Sequence, residues 1–287
     1  MTKDTHLLIV DPQNDFCDLP LSYLPHDPVQ TGARLQPQLP VPGAHADMQR
    51  LARFIRLGQA AIASVTITLD SHHHVGIERP AMWRKADGSP IDPFTQLGSD
   101  DVRQGRFVPR DPAALESVLA YLEALEAAGR YTHMVWPTHC EIGTWGHNLH
   151  ADVLAACNAW EQHHGRSTAK VLKGSNPYTE HYSAFMAEVP DPDDVATQFN
   201  QSLFNSLKSS SCLLVAGEAG SHCVKSTLEH YAQHVDDAAM ARVALLTDCM
   251  SPIPGFEPAY DAFLAAMEGR GARLLTTTAW LSQQGIK

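Results

Sequence analysis

Apolar positions along the chain follow two periods in turn. Short apolar runs read as strands: Leu7 to Val10, Ala60 to Leu69, Tyr131 to Trp136, Ala169 to Leu172, Leu213 to Ala216, Val243 to Thr247 and Arg273 to Thr276. Between them apolar residues recur at helical spacing. Met48, Leu51, Phe54, Ile55 and Leu57 make one such face, and Leu115, Val118, Leu119, Leu122 and Leu125 another. Further helices are expected over Leu149 to Trp160, through Phe199, Leu203 and Leu207, after Cys223, and over Ala259 to Glu268. Strands alternating with helices predict an α/β fold: a doubly wound, mostly parallel sheet of about six strands with helices on both faces, in a single domain over 1–287. Three stretches of weak period, near 18–45, 75–110 and 186–210, read as loop insertions.

Sheets of this kind bind ligands at the carboxyl ends of their strands. Asp11, Asp70, Trp136, Lys173, Cys223 and Asp248 each fall at or just past the end of a different expected strand. Packing alone does not account for that clustering. Cys223 follows the strand Leu213 to Ala216 and the turn Gly217-Glu218-Ala219-Gly220-Ser221-His222, and it opens a helix. A thiol there feels the positive end of the helix, which would lower its pKa, and neighbouring N–H groups could hold an anion. Read alone, the same pattern also fits a cysteine that merely packs, and the sequence pattern by itself favours packing.

Composition narrows the class. With 287 residues and 44% hydrophobic content the chain can bury a sizeable core. Its formal net charge of -11 argues against a nucleic-acid surface, and no basic amphipathic helix suggests a membrane surface. The N-terminal apolar run is too short for a signal peptide and no stretch could span a bilayer, so a cytoplasmic protein is expected. The cysteines at 17, 140, 157, 212, 223 and 249 form no CxxC pair and are expected to be reduced thiols.

A cysteine amide hydrolase needs a thiol nucleophile, a base to take its proton and later activate water, and a cation to balance the charge. Cys223, Asp11 and Lys173 supply these three functions. The motifs around them are Asp11-Pro12-Gln13-Asn14-Asp15-Phe16, Asp70-Ser71-His72, Trp136-Pro137-Thr138-His139-Cys140, Lys173-Gly174 followed by Tyr182-Ser183-Ala184-Phe185, and Gly217-Glu218-Ala219 before Cys223-Val224. In this order the chain resembles the isochorismatase-like cysteine hydrolases, and among them the nicotinamidases, from residue 6 to about residue 250.

That resemblance implies hydrolysis of a small carboxamide, above all nicotinamide to nicotinate and ammonia, as in NAD salvage. Catalysis falls to Asp11, Lys173 and Cys223. The N–H groups of Ala219 and Cys223 form the oxyanion hole, with a cis Glu218-Ala219 bond where the sequence alone would favour trans. The resemblance also implies a divalent transition metal, zinc first and iron or manganese as alternatives, on Asp70, His72 and His139. Among sixteen histidines a chance Asp-x-His is common, and it is the Trp-Pro-x-His-Cys context that singles out His139. Phe16, Trp136 and Tyr182 match positions that line the substrate pocket, though strand-end aromatics also serve as core. A homo-oligomer is expected. Two other readings stay open: a relative of the same fold acting on another small amide, and a non-catalytic binding member.

The chain departs from the family in one respect. A further histidine usually follows the Asp-x-His pair by several residues, and here His72-His73-His74 runs into Val75-Gly76-Ile77-Glu78. His74 and Glu78 are expected to be exposed loop residues, not ligands.

Overall fold

Six strands form one parallel sheet: β1 (Thr5–Val10), β2 (Ser64–Asp70), β3 (Ala169–Lys173), β4 (Cys212–Gly217), β5 (Val243–Leu246) and β6 (Arg273–Leu275), in the order β6-β5-β4-β1-β2-β3. The protein is represented by a computed structural model describing residues 4–286; residues 1–3, where the N-terminal segment discussed above begins, lie outside that range. β1 and β4 are buried at every position, because they sit in the middle of the sheet with layers on both faces, and their unbroken apolar runs reflect this. From β1 the chain winds outward through β2 to β3, and from β4 the opposite way through β5 to β6. The winding direction thus reverses between β1 and β4. At such a switch point the connections diverge and a crevice opens past the strand ends.

Right-handed crossovers send the helices to opposite faces on the two sides of that point. Helix α1 (Ala44–Gly58) packs against α3 (Ala151–His164) and against the last helix, α6 (Thr277–Gln283). Across the sheet, α4 (Lys225–Gln233) packs against α5 (Glu257–Gly269). No described helix is long and apolar enough to cross a membrane.

Three expectations are corrected. The run Tyr131 to Trp136 does not join the central sheet; only Met134–Val135 is extended, paired antiparallel with Thr95–Gln96. Residues 75–110 are not a loop with little structure. Trp83–Lys85 pairs with Phe107–Pro109, and Ile77, Met82, Trp83, Ile91, Leu97 and Val102 form a second hydrophobic core with α2 (Leu115–Ala128). An irregular chain packed on a helix has no period for the eye to find. Asp248 does follow β5, but its carboxylate accepts from Thr277 N at 2.8 Å and Thr277 Oγ1 at 2.7 Å, tying the strand to α6 instead of serving the crevice.

Trp83 is fully buried in the second core. Trp83→Ala is expected to cost about 3–5 kcal/mol in urea unfolding; a loss under about 1 kcal/mol would mean that residues 75–110 contribute no true core.

Candidate active site

Cys223, Asp11, Asp70 and Lys173 lie at the carboxyl ends of four adjacent strands, β4, β1, β2 and β3. The register makes them neighbours: Val10 pairs with Gly217 and Asp70 with Lys173. Lys173 Nζ is 3.0 Å from Asp11 Oδ2, 2.9 Å from Asp70 Oδ1 and 3.6 Å from Cys223 Sγ, and it donates to His181 O at 3.1 Å. All four side chains are buried. Thr68 fixes the near side of the cluster: its hydroxyl accepts from Asp11 N at 3.0 Å and donates to Asp11 Oδ1 at 2.5 Å.

Burial and pairing give these groups different protonation tendencies. Burial works against charge on Lys173, yet Asp11 and Asp70 hold its pKa well above the ordinary value. Burial also opposes charge on Asp70, but His72 and Lys173 override it and keep this carboxylate ionised. For Asp11 burial wins, and its pKa is raised despite Lys173. The Cys223 thiol is pushed well above its usual range by burial, with Lys173 opposing and Asp11 and Asp70 adding to the rise. This corrects the expectation of a lowered thiol pKa. The turn is closed off from water, so desolvation outweighs the helix end. The resting thiol keeps its proton, and the raised Asp11 carboxylate beside it is a base suited to accept that proton.

Beyond Lys173 lies a second cluster. One ligand atom from each of Asp70, His72 and His139 lies within 4.8 Å of the others. Asp70 Oδ2 is 2.9 Å from His72 Nε2 and 3.2 Å from His139 Nε2, while its other oxygen faces Lys173. His139 Nδ1 donates to Pro137 O at 2.8 Å, which leaves Nε2 as the lone-pair nitrogen. Burial, then Arg79, lowers the His139 pKa to about 4, so that ring is neutral. Burial disfavours charge on His72 as well, but Asp70 and Glu78 raise it to about 9, so a cation entering here displaces a proton. Gly174 has φ +88°, and a Cβ there would fall 2.9 Å from His72 Cε1, which explains the glycine after Lys173. Two imidazoles and a carboxylate, all buried, fit zinc, iron or manganese.

His74 is exposed, 3.1 Å from Glu141, as expected. Glu78 is not exposed; it is buried with Oε1 2.9 Å from His72 Nδ1. Its place in the second core's loop, invisible to periodicity, carries it inward. The Glu218-Ala219 peptide is cis. Around the turn, the N–H groups of Gly220, His222 and Val224 are engaged by Ser251 O, Ala219 O and Ala219 O, whereas that of Ala219 has no acceptor among the described residues.

Phe16, Trp136 and Tyr182 line one cavity with Cys223, Asp70 and His139. Trp136 Nε1 donates to Tyr182 Oη at 2.9 Å, fixing both rings. Leu39, from the 18–45 insertion, and Ile253 also face it. Trp136, Tyr182 and His222 also line a neighbouring cavity of about 200 Å³, flanked by Arg130 and Lys225. A larger open depression, about 690 Å³, lies between residues 27–38 and 138–146, and neither Cys223 nor Lys173 lines it. Sequence reasoning missed Glu180, which faces the cysteine cavity, and the buried Arg79. Nothing in their local pattern distinguishes them from solvated charges.

Burial, then the charge of Glu78, raises the Glu180 pKa from 4.5 to about 7. The native state therefore holds this proton more tightly than the unfolded chain between those values, and its stability falls as pH rises through that window. In metal-free protein, Glu180→Gln is expected to flatten this fall and to be more stable than wild type above pH 7; denaturant unfolding at pH 5 and 8 checks it, and parallel curves would contradict it.

No known family profile matches this sequence, and no curated protein does. Solved structures do match. The yeast nicotinamidase bound to the inhibitor nicotinaldehyde is 16% identical with a TM-score of 0.60, covering 95% of this chain and 99% of its own. A nicotinamidase and pyrazinamidase of Acinetobacter baumanii is 17% identical with a TM-score of 0.58, over 96% of this chain and 97% of its own. The pyrazinamidase of Pyrococcus horikoshii in complex with zinc is 18% identical with a TM-score of 0.51, over 95% and 99%. Over nearly its whole length, then, this chain has the isochorismatase-like α/β fold in which the nicotinamidases are built.

Proposed function

We propose that this protein is a cysteine amidohydrolase that cleaves a small aryl carboxamide, best matched by nicotinamide, to the carboxylate and ammonia. The observation that carries the reading is the buried Lys173 ammonium within 3.6 Å of the Cys223 thiol and 3.0 Å of the Asp11 carboxylate. The nicotinamidases of the same fold support the choice of substrate, as does an aromatic wall of Phe16, Trp136 and Tyr182 suited to a flat ring.

The reaction follows from the proton positions. Asp11 takes the Cys223 proton as sulfur attacks the carboxamide carbon, while Lys173 offsets the charge that develops on the thiolate. The tetrahedral oxyanion is held by the N–H groups of Ala219 and Cys223, each contributing about 3 kcal/mol of transition-state stabilisation. Asp11 then gives its proton to the nitrogen, the C–N bond breaks and ammonia leaves a thioester. Water loses a proton to Asp11, adds to the thioester, and the carboxylate departs as the sulfur regains its proton. Asp70, His72 and His139 would hold a divalent transition metal, zinc in keeping with the zinc complex of the P. horikoshii protein, and the ion would supply Lewis-acid chemistry beside the substrate cavity.

Cys223→Ala is expected to abolish ammonia release from nicotinamide, and Asp11→Asn to reduce it by about 10²- to 10⁴-fold, in a coupled ammonia assay over a panel of small amides. Wild-type turnover confined to a different amide would move the substrate and keep the chemistry. A wild type inert on the whole panel, or a Cys223→Ala variant as active as wild type, would overturn the proposal.

A further inference from the structure

Both histidines of the metal cluster present Nε2 to Asp70, and what holds each ring from behind is a pair of adjacent residues in the 75–110 segment. Glu78 is 2% exposed and Arg79 fully buried. Glu78 Oε1 lies 2.9 Å from His72 Nδ1 and 2.9 Å from Arg79 Nε. The Arg79 guanidinium donates to Pro137 O at 2.9 Å and to His139 O, and it lies 3.1 Å from His139 Nδ1. We propose that Glu78 and Arg79 are positioning residues for the metal site, Glu78 setting the tautomer and angle of His72 and Arg79 fixing the loop that carries His139. The inference rests on the metal-bearing site of the proposed function and assigns this pair the orienting role.

The chemistry of imidazole makes the arrangement specific. His72 Nδ1 and Arg79 Nε face Glu78 Oε1 at ion-pair distance without an aligned hydrogen bond; a carboxylate this close still favours the proton on Nδ1, so that once a cation lies between Nε2 and Asp70 the ring offers it the Nε2 lone pair. His139 reaches the same state through Pro137 O, and Arg79 binds that carbonyl too, so the two rings are locked by one connected set of contacts. The loop delivering the pair is itself clamped. Ile77 N donates to Pro177 O at 2.8 Å, and Trp136 N to Glu78 O at 2.8 Å. A Cβ at Gly76 would come within 2.7 Å of the Glu78 carboxylate, so the glycine leaves that side chain room where it lies.

Removing one member of a buried ion pair leaves the other uncompensated, so loss of metal in a single variant could reflect misfolding. The test therefore uses Glu78→Gln together with the neutral double variant Glu78→Gln/Arg79→Met, each checked by circular dichroism, with cobalt(II) and zinc(II) titrated into the metal-free full chain. Both variants are expected to bind cobalt about 10- to 100-fold more weakly than wild type and to shift its visible absorption bands. If the folded variants bind cobalt within about twofold of wild type with an unchanged spectrum, the orienting role is wrong while the metal site stands. If wild type binds neither metal, the metal site of the proposed function fails, and this inference with it.

Discussion

A buried ammonium between two buried carboxylates is the constraint on which the site depends. Taking Lys173 and Asp70 out of water is costly for each alone, and the cost is offset only while they stay within about 3 Å of each other and of Asp11. Three strands must therefore end at the same level. The register of β1, β2 and β3 meets that condition, and the switch point between β1 and β4 brings the cysteine turn to the same place. Since Asp70 faces Lys173 with one oxygen and the two histidines with the other, the Lys173–Cys223 cluster and the Asp70–His72–His139 cluster share one anchor.

From this geometry two chemically identical side chains acquire different roles. Asp70 has two cationic neighbours, His72 and Lys173, and stays ionised, which suits a ligand. Asp11 is fully buried with less compensation, and its raised pKa suits a group that gains and loses a proton in each cycle. The thiol beside it is protonated at rest, so in the proposed mechanism the nucleophile is generated at the moment of attack and not stored as a thiolate. The environment divides the labour between them.

Much of this was legible in the sequence because the central strands are short, apolar and terminated by a single conspicuous polar residue. Asp11, Asp70, Lys173 and Cys223 could be placed at one edge from strand ends alone, and motif order drew in His72, His139, Phe16, Trp136 and Tyr182. What escaped lies where period carries no information. Glu78, Arg79 and Glu180 sit on irregular chain whose burial is decided by distant packing against α2 and the 134–136 segment. Asp248 was drawn in by the same strand-end rule that found Asp11, because the rule cannot tell a carboxylate facing the crevice from one that binds the start of α6. The thiol pKa was misjudged for a related reason, since burial depth is not written in the local turn.

The most direct test of the account is the pH dependence of Cys223 alkylation, followed by mass spectrometry of the peptide that carries it, in wild type and in Lys173→Met. With the sulfur protonated at rest and Lys173 opposing its desolvation, wild-type reactivity should keep rising beyond pH 9, and the variant's profile should move to still higher pH. A reactive plateau already reached by neutral pH, or profiles that coincide with and without the ammonium, would contradict it.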